Sequence, residues 1–121
     1  MSVAVDIAAL AERMSQFGDR AYLVTVSGDG RPHIVSVEVT LDGDRLGVFV
    51  GRGTAANLDA RPAATVLWPP VPGGGYSLIV DGEPETPVEP GQATIRATSA
   101  VLHRVAGAPG DGPTCLPVEG S

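Results

Sequence analysis

The chain contains no lysine: its eight basic residues are all arginine, against fourteen Asp and Glu, for a formal net charge of −6 over 121 residues. The arginines form no cluster, so attraction to nucleic acid or to an anionic membrane has no electrostatic basis. One cysteine, Cys115, excludes an internal disulfide and a cysteine-built zinc site. The two histidines, His33 and His103, lack a thiolate at ligand spacing, and no metal site is expected. No apolar run approaches the ~20 residues that span a bilayer. The first residues carry Asp6 and Glu12 and no basic start, unlike a signal peptide, so a cytoplasmic protein is expected.

What is present fits one globular domain. Hydrophobic residues make up 43% and charged ones 18%, a balance that buries a core rather than staying disordered. The domain is expected over 1–105. A tail of 106–121 follows, flexible over 106–114, with Leu116, Pro117 and Val118 docking back near its end.

Residues 3–17 place Ile7, Leu10 and Met14 at helical spacing, ended by Gly18, and predict an amphipathic helix. From Ala21 the period becomes two. "AYLVTVS" (21–27) and "PHIVSVEVT" (32–40) flank "GDGR", a hairpin signal. "LDGD" then turns the chain into "RLGVFV" (45–50), so three antiparallel strands are expected in succession. A short helix over about 54–61 interrupts them, with Thr54 as its N-cap, Arg61 at its carboxyl end and Pro62 beyond. "AATVLW" (63–68), "YSLIVDGEPE" (76–85) and "QATIRATSAVLHRV" (92–105) supply three more strands, the last with a break around Ser99. Six short strands and few helices predict a closed, mainly β barrel.

The strand faces add an expectation about assembly. On 32–40, His33, Val35, Val37 and Val39 share the core face, and Ile34 lies on the opposite one with Ser36 and Glu38. On 63–68 neither face is charged, so both are expected to be covered. A barrel this small covers one side; a second copy of the chain would cover the other.

"GRGTAANLDARP" (51–62) is the stretch with chemical content. A helix amino terminus offers unpaired N–H groups and partial positive charge. Gly51 and Gly53 allow close approach, Arg52 can grip two oxygens, and the Thr54 hydroxyl can donate. The plainer alternative is that Thr54 only caps the helix and Arg52 lies in solvent.

The leading helix, "AYLVTVSGDGRPHIVSVEV", "GVFVGRGTAANLDARPAATVLWPP" and "GGYSLIVDGEPE" follow one another in an order that resembles the pyridoxamine 5'-phosphate oxidase-like flavin/deazaflavin oxidoreductases. Small actinobacterial members, which also carry a segment like "AVLHR" and a late Cys-x-Pro, are the nearest match. The resemblance spans roughly residues 3–118. It implies a six-stranded split β-barrel that forms a homodimer and holds FMN or a deazaflavin coenzyme in interface clefts. Val50, Gly51, Arg52, Gly53, Thr54, Asn57 and Trp68 would contact the cofactor; His33 and Tyr76 would line the substrate pocket. In the wider superfamily an Arg, then Ser or Thr, then Lys grips the cofactor phosphate. Arg52 and Thr54 match, and the Lys position falls on Ala56, one positive charge fewer.

Other residues invite plainer readings. His33 and His103 sit among apolar neighbours at strand spacing, as core or interface histidines do, although some split-barrel relatives bind haem. Trp68 and Tyr76 bracket "PPVPGGG" and could wall a planar ring or simply pack. Cys115 has no nearby base. No paired carboxylates and no Ser-His-Asp order are visible, which does not exclude an enzyme, because a flavin ring itself carries the hydride. Two functions follow: a flavin- or deazaflavin-dependent oxidoreductase acting on a small molecule, or a non-catalytic dimeric barrel that binds another ligand, haem included, or a protein.

Overall fold

The computed structural model describes residues 2–106. Strand β1 spans Ser2–Val5, a 3-10 turn spans Ile7–Ala9, and helix α1 spans Leu10–Phe17. Strands β2 (Arg20–Val26), β3 (Pro32–Glu38), β4 (Thr40–Asp42) and β5 (Arg45–Val50) follow. Helix α2 (Arg52–Ala60) leads into β6 (Ala64–Trp68), β7 (Tyr76–Pro84) and β8 (Gly91–Arg104).

All six expected strands form, and every pairing is antiparallel. The strand order is β3-β2-β6-β7-β8-β5-β4, with β1 added to β8. Only Val39 separates β3 from β4, yet β3 pairs with β2 at one end of that order and β4 with β5 at the other. The backbone thus joins the two edges of the curled sheet, which makes it a split barrel. At the junction Val39 is buried, and its N–H donates to the Asp19 carbonyl at 2.7 Å. The physical logic is edge protection: a bent strand shared by both edges leaves few unpaired backbone groups.

The strand at 45–50 forms the expected hairpin across "LDGD" with only the end of the 32–40 segment, β4, from Thr40↔Gly47 to Asp42↔Arg45, and does not reach β3. It pairs with β8, from Arg45↔Arg96 to Val50↔Gly91. Strand β8 is the hub, with β7 along almost all of it, β5 on its first half and β1 on its second. Its expected break near Ser99 is a bulge: Asp81 faces Ser99, Gly82 faces Ala97, and Thr98 is left over. Gly82 is required there, because a Cβ would stand 2.6 Å from the Arg96 carbonyl oxygen.

The amino-terminal helix is shorter than the predicted 3–17. Residues 2–5 are strand, paired Val3↔Leu102 and Val5↔Ala100, because the open edge of β8 offers backbone partners that a first helical turn lacks. Asp6 then starts the 3-10 turn, its Oδ1 accepting from the Ala8 N–H at 3.1 Å.

One core fills the barrel. Leu23, Leu46, Val48, Val66, Leu78, Val80 and Ile95 point inward and are buried. Leu10 and Met14 of α1 close one end, while Ala55 and Leu58 of α2 close the other. Trp68, fully buried, donates its indole N–H to the Gly18 carbonyl at 3.0 Å and ties β6 to the end of α1. Among the described residues no helix is long and apolar enough to cross a membrane. The expectations for 107–121, including Cys115 and the docking of Leu116, Pro117 and Val118, lie outside the described residues.

Candidate anion site at the start of helix α2

Helix α2 begins two residues earlier than its sequence suggests. Gly51, extended at φ −84° and ψ −174°, is the N-cap, and no side chain caps the helix. The first helical bond runs from the Ala55 N–H to the Gly51 carbonyl at 3.0 Å. The N–H groups of Arg52, Gly53 and Thr54 precede it and have no acceptor inside the helix. Thr54 is therefore not the cap expected of it but the third helical residue.

That shift changes what Thr54 does. Its side chain is buried, at 4% exposure, and among the described residues its hydroxyl has no hydrogen-bond partner. Thr54 shares the buried face of α2 with Ala55 and Leu58, in the first turn of the helix. A buried polar group without a partner costs about 1–3 kcal/mol, which an incoming acceptor would relieve.

Arg52 is exposed at the mouth of the same turn. The three ion pairs among the described residues are Arg20–Glu38, Arg45–Glu85 and Arg96–Glu83, so no carboxylate holds the Arg52 guanidinium. At Gly51 and Gly53 an added Cβ would meet nothing within 4 Å, which leaves open space over the backbone. Free N–H groups, an unpaired guanidinium, an orphaned hydroxyl and open space suit an anion such as a phosphate. These residues fit the phosphate end of the cofactor that the resemblance implies.

Two further residues hold this turn in place. The Asn57 side-chain amide donates to the Thr25 hydroxyl at 3.1 Å, and Thr25 on β2 is 1% exposed. Thr25 went unnoticed in the sequence, although it occupies the inward register of Ala21 and Leu23, where a polar residue is unusual. Asp59 Oδ1 accepts the Val88 N–H at 3.0 Å and fastens the β7–β8 connection to α2. At the carboxyl end, Arg61 donates to the Gly28 carbonyl at 3.4 Å. Asp29, beside it in the β2–β3 turn, has its pKa lowered, chiefly by the Ser27 hydroxyl, then by the Arg31 N–H, with Arg61 a smaller influence.

The remaining predicted site residues divide. His33 pairs with Thr25 across β2 and β3, which brings it alongside the Asn57 anchor. Val50 is buried and ends β5 immediately before the turn. Phe49, 75% exposed beside it, was missed, and only its alternation with buried Val48 and Val50 could have flagged it. Tyr76 lies at the other end of the barrel, paired with Arg104 and stacked under its guanidinium at 5.4 Å. Trp68 is buried at that end too, so within one subunit these aromatics do not wall a ring beside Arg52. His103 is on β8, near the Ser2 hydroxyl at 3.3 Å, and three strands separate it from β3.

No protein-family model matches the chain. The chain is 40% identical, over 91% of its length and 86% of theirs, to uncharacterized proteins of Mycobacterium bovis (strain ATCC BAA-935 / AF2122/97) and Mycobacterium tuberculosis (strain CDC 1551 / Oshkosh). An F420 reductase superposes with a TM-score of 0.60 at 19% identity, over 72% of this chain and 94% of that one. An FMN-binding protein from Syntrophomonas wolfei gives 0.61 at 11%, over 82% and 84%. A pyridoxinephosphate oxidase family protein from Clostridium acetobutylicum gives 0.60 at 12%, over 83% and 91%. A haem-binding protein from Mycobacterium smegmatis shares the fold as well, at 0.65 and 16%, over 88% and 57%. By identity the chain belongs to one family with the two mycobacterial proteins, and its strand order and these structural relatives show that its fold is the split barrel shared by the F420 reductase, the FMN-binding protein and the pyridoxinephosphate oxidase family protein.

Proposed function

We propose that this protein is an oxidoreductase that holds FMN or a deazaflavin coenzyme at the start of α2 and acts on a small molecule. The observation that carries the reading is the uncapped start of α2, where Arg52 is exposed and enters no ion pair among the described residues and Thr54 in the same turn is buried. The names of two structural relatives, an F420 reductase and an FMN-binding protein, support the same class of cofactor. When bound, the flavin-type ring supplies hydride transfer. The chain's own residues bind and orient: Arg52 and the Arg52–Thr54 N–H groups take the phosphate, and Asn57 and Asp59 keep α2 at a set angle to the barrel.

We place the working site at a homodimer interface. Across β3, β2, β6 and β7 the outer face carries Ile34, Val24, Tyr22, Leu67 and Ile79, linked through the pairs Val24↔Ile34, Tyr22↔Leu67 and Leu67↔Ile79. Ile34 is 60% exposed and Tyr22 42%, and the apolar run is bordered on the same face by Asp81 and by the Arg20–Glu38 pair. Apolar patches of this kind are covered by partners.

The test is spectroscopic. The purified protein is titrated with FMN and with a deazaflavin coenzyme while ring absorbance and fluorescence are followed. Saturable binding of either, weakened by Arg52→Ala, is the expected result. A wild-type protein that leaves both spectra unchanged at high micromolar concentration overturns the proposal.

A further inference from the structure

We propose that the groove between α1 and the β4–β5 turn is a second binding site, for a small hydrophobic amine whose apolar body lies along the helix and whose ammonium stays at an acidic rim. It is separate from the start of α2, because α1 and α2 close opposite ends of the barrel.

The groove exists because the helix and the turn do not fill the space between them. Helix α1 commits Leu10 and Met14 to the core. Beside them stand Ala11 and Ser15, too short to reach the turn, and Gly43 in the turn has no side chain to reach back. An opening of about 660 Å³ is left, the size of a small-molecule site. Ile7, Ala11, Met14 and Leu41 give it apolar walls, and Ile7 and Leu41 are only half-buried against the core. An apolar ligand would take that surface out of water.

The rim selects the charge. Asp19, between α1 and β2, and Asp44, in the β4–β5 turn, both line the groove. Their main chains are held, since the Asp19 carbonyl accepts the Val39 N–H at 2.7 Å and the Asp44 carbonyl the Ala97 N–H at 2.8 Å. Their side chains are exposed, and among the described residues neither carboxylate has a hydrogen bond or an ion pair. The arginines next to them are engaged elsewhere, Arg20 with Glu38 and Arg45 with Glu85, and no arginine lines the groove. Rotating either side chain moves its charge by less than the Debye length of about 8 Å, so the rim attracts a cation in any rotamer. An ammonium on an aliphatic stem leaves its head in water there while the stem is covered, as lysine side chains do. The chain's own 107–121 matches the rim poorly, because it carries Asp111 and Glu119 and no basic residue.

Met14 provides the reporter. Met1 is the only other methionine, so carbon-13 labelling of the methionine methyl groups gives two NMR signals, one of them in the groove. The full chain is titrated at pH 7 and low salt with octylamine, octanol and octanoate; the amine is protonated there, as a lysine of pKa about 10.4 is. Octylamine should shift the Met14 signal saturably, with an affinity about three- to tenfold above that of octanol, and octanoate should bind weakest. High salt should erase the preference, and so should Asp19→Asn with Asp44→Asn, two exposed changes whose effect on the fold a circular dichroism melt checks. Octanol binding as tightly as octylamine, or a double variant that keeps the preference, overturns the amine assignment. A Met14 signal unmoved by all three compounds overturns the site. An unliganded Met14 signal that moves with protein concentration gives the groove to a second copy, and one that moves in Leu116→Asp gives it to the chain's own end; either result also overturns the proposal.

Discussion

Asn57 and Thr25, separated by 32 positions in the chain, meet where the Asn57 amide donates to the Thr25 hydroxyl at 3.1 Å. The bond joins the middle of α2 to the inner face of β2, and so sets where the first turn of the helix points. Thr25→Val removes the acceptor but keeps the shape. Asn57 is only half-buried and can turn to water, so the loss is about 0.5–1.5 kcal/mol. A melt followed by circular dichroism should show a Tm lower by a few degrees. Phosphate-ligand affinity should fall with it, as the helix start loses its fixed angle. An unchanged melt would mean the bond is idle.

Arg52 should matter to the ligand and not to the fold. It is exposed and pairs with no carboxylate among the described residues. Arg52→Ala is expected to move stability by no more than about 0.5 kcal/mol. It should weaken phosphate-bearing cofactors about ten- to a hundredfold. Calorimetric titration beside a thermal melt separates the two effects.

Trp68 should behave in the opposite way. Its indole N–H reaches the Gly18 carbonyl at 3.0 Å from a fully buried position. Trp68→Phe loses that bond and leaves space in the core, for a destabilisation of about 1–3 kcal/mol. Cofactor affinity should hold, because Trp68 lies at the α1 end of the barrel. Loss of binding with an unaltered melt would contradict this placement.

The outer apolar face makes a prediction about mass. Ile34 is 60% exposed on β3, so Ile34→Glu should cost the single subunit little. In a dimer the same change buries a charge without a partner. Light scattering should give a dimer for the wild type and a monomer for the variant, with similar circular dichroism spectra. A wild-type monomer at tens of micromolar would remove the interface cleft.

Asp29 supplies a pH signature. The Ser27 hydroxyl first, then the Arg31 N–H, lower its folded pKa. A depressed carboxyl pKa stabilises the fold above the unfolded value of about 3.9, and that contribution is lost as pH falls through the lower folded value. Carbon-13 NMR of the Asp29 carboxyl should therefore give a midpoint below 3.9, and Ser27→Ala should raise it. A midpoint that does not respond to Ser27→Ala would show that the hydroxyl is not its main partner.

Much of this molecule was legible because local chemistry wrote it. Alternation in "AYLVTV" and "PHIVSVEV" around "GDGR" specifies a hairpin with one buried face, and Val37 and Val39 are buried while Ile34 is not. The strand read over 76–85 forms as β7, Tyr76–Pro84, and the stretch 51–62 announced a helix start with glycines on either side of Arg52. What escaped was every feature that depends on a partner distant in the chain. "SVAV" became strand because the edge of β8 was there to pair with it, not through any preference of four residues. Strand β5 joined β8 rather than β3 because one strand bent at Val39 had to serve both edges of the barrel. Thr54 reads as a cap by residue type; only the start of the helix at Arg52 made it a buried hydroxyl without a partner. Thr25 became an anchor only when α2 was laid across β2. Side-chain period and turn chemistry act over a few residues, so a sequence can display them. Strand neighbours, and the burial of one polar atom rather than another, depend on which distant surfaces meet, and that was decided by closing the barrel.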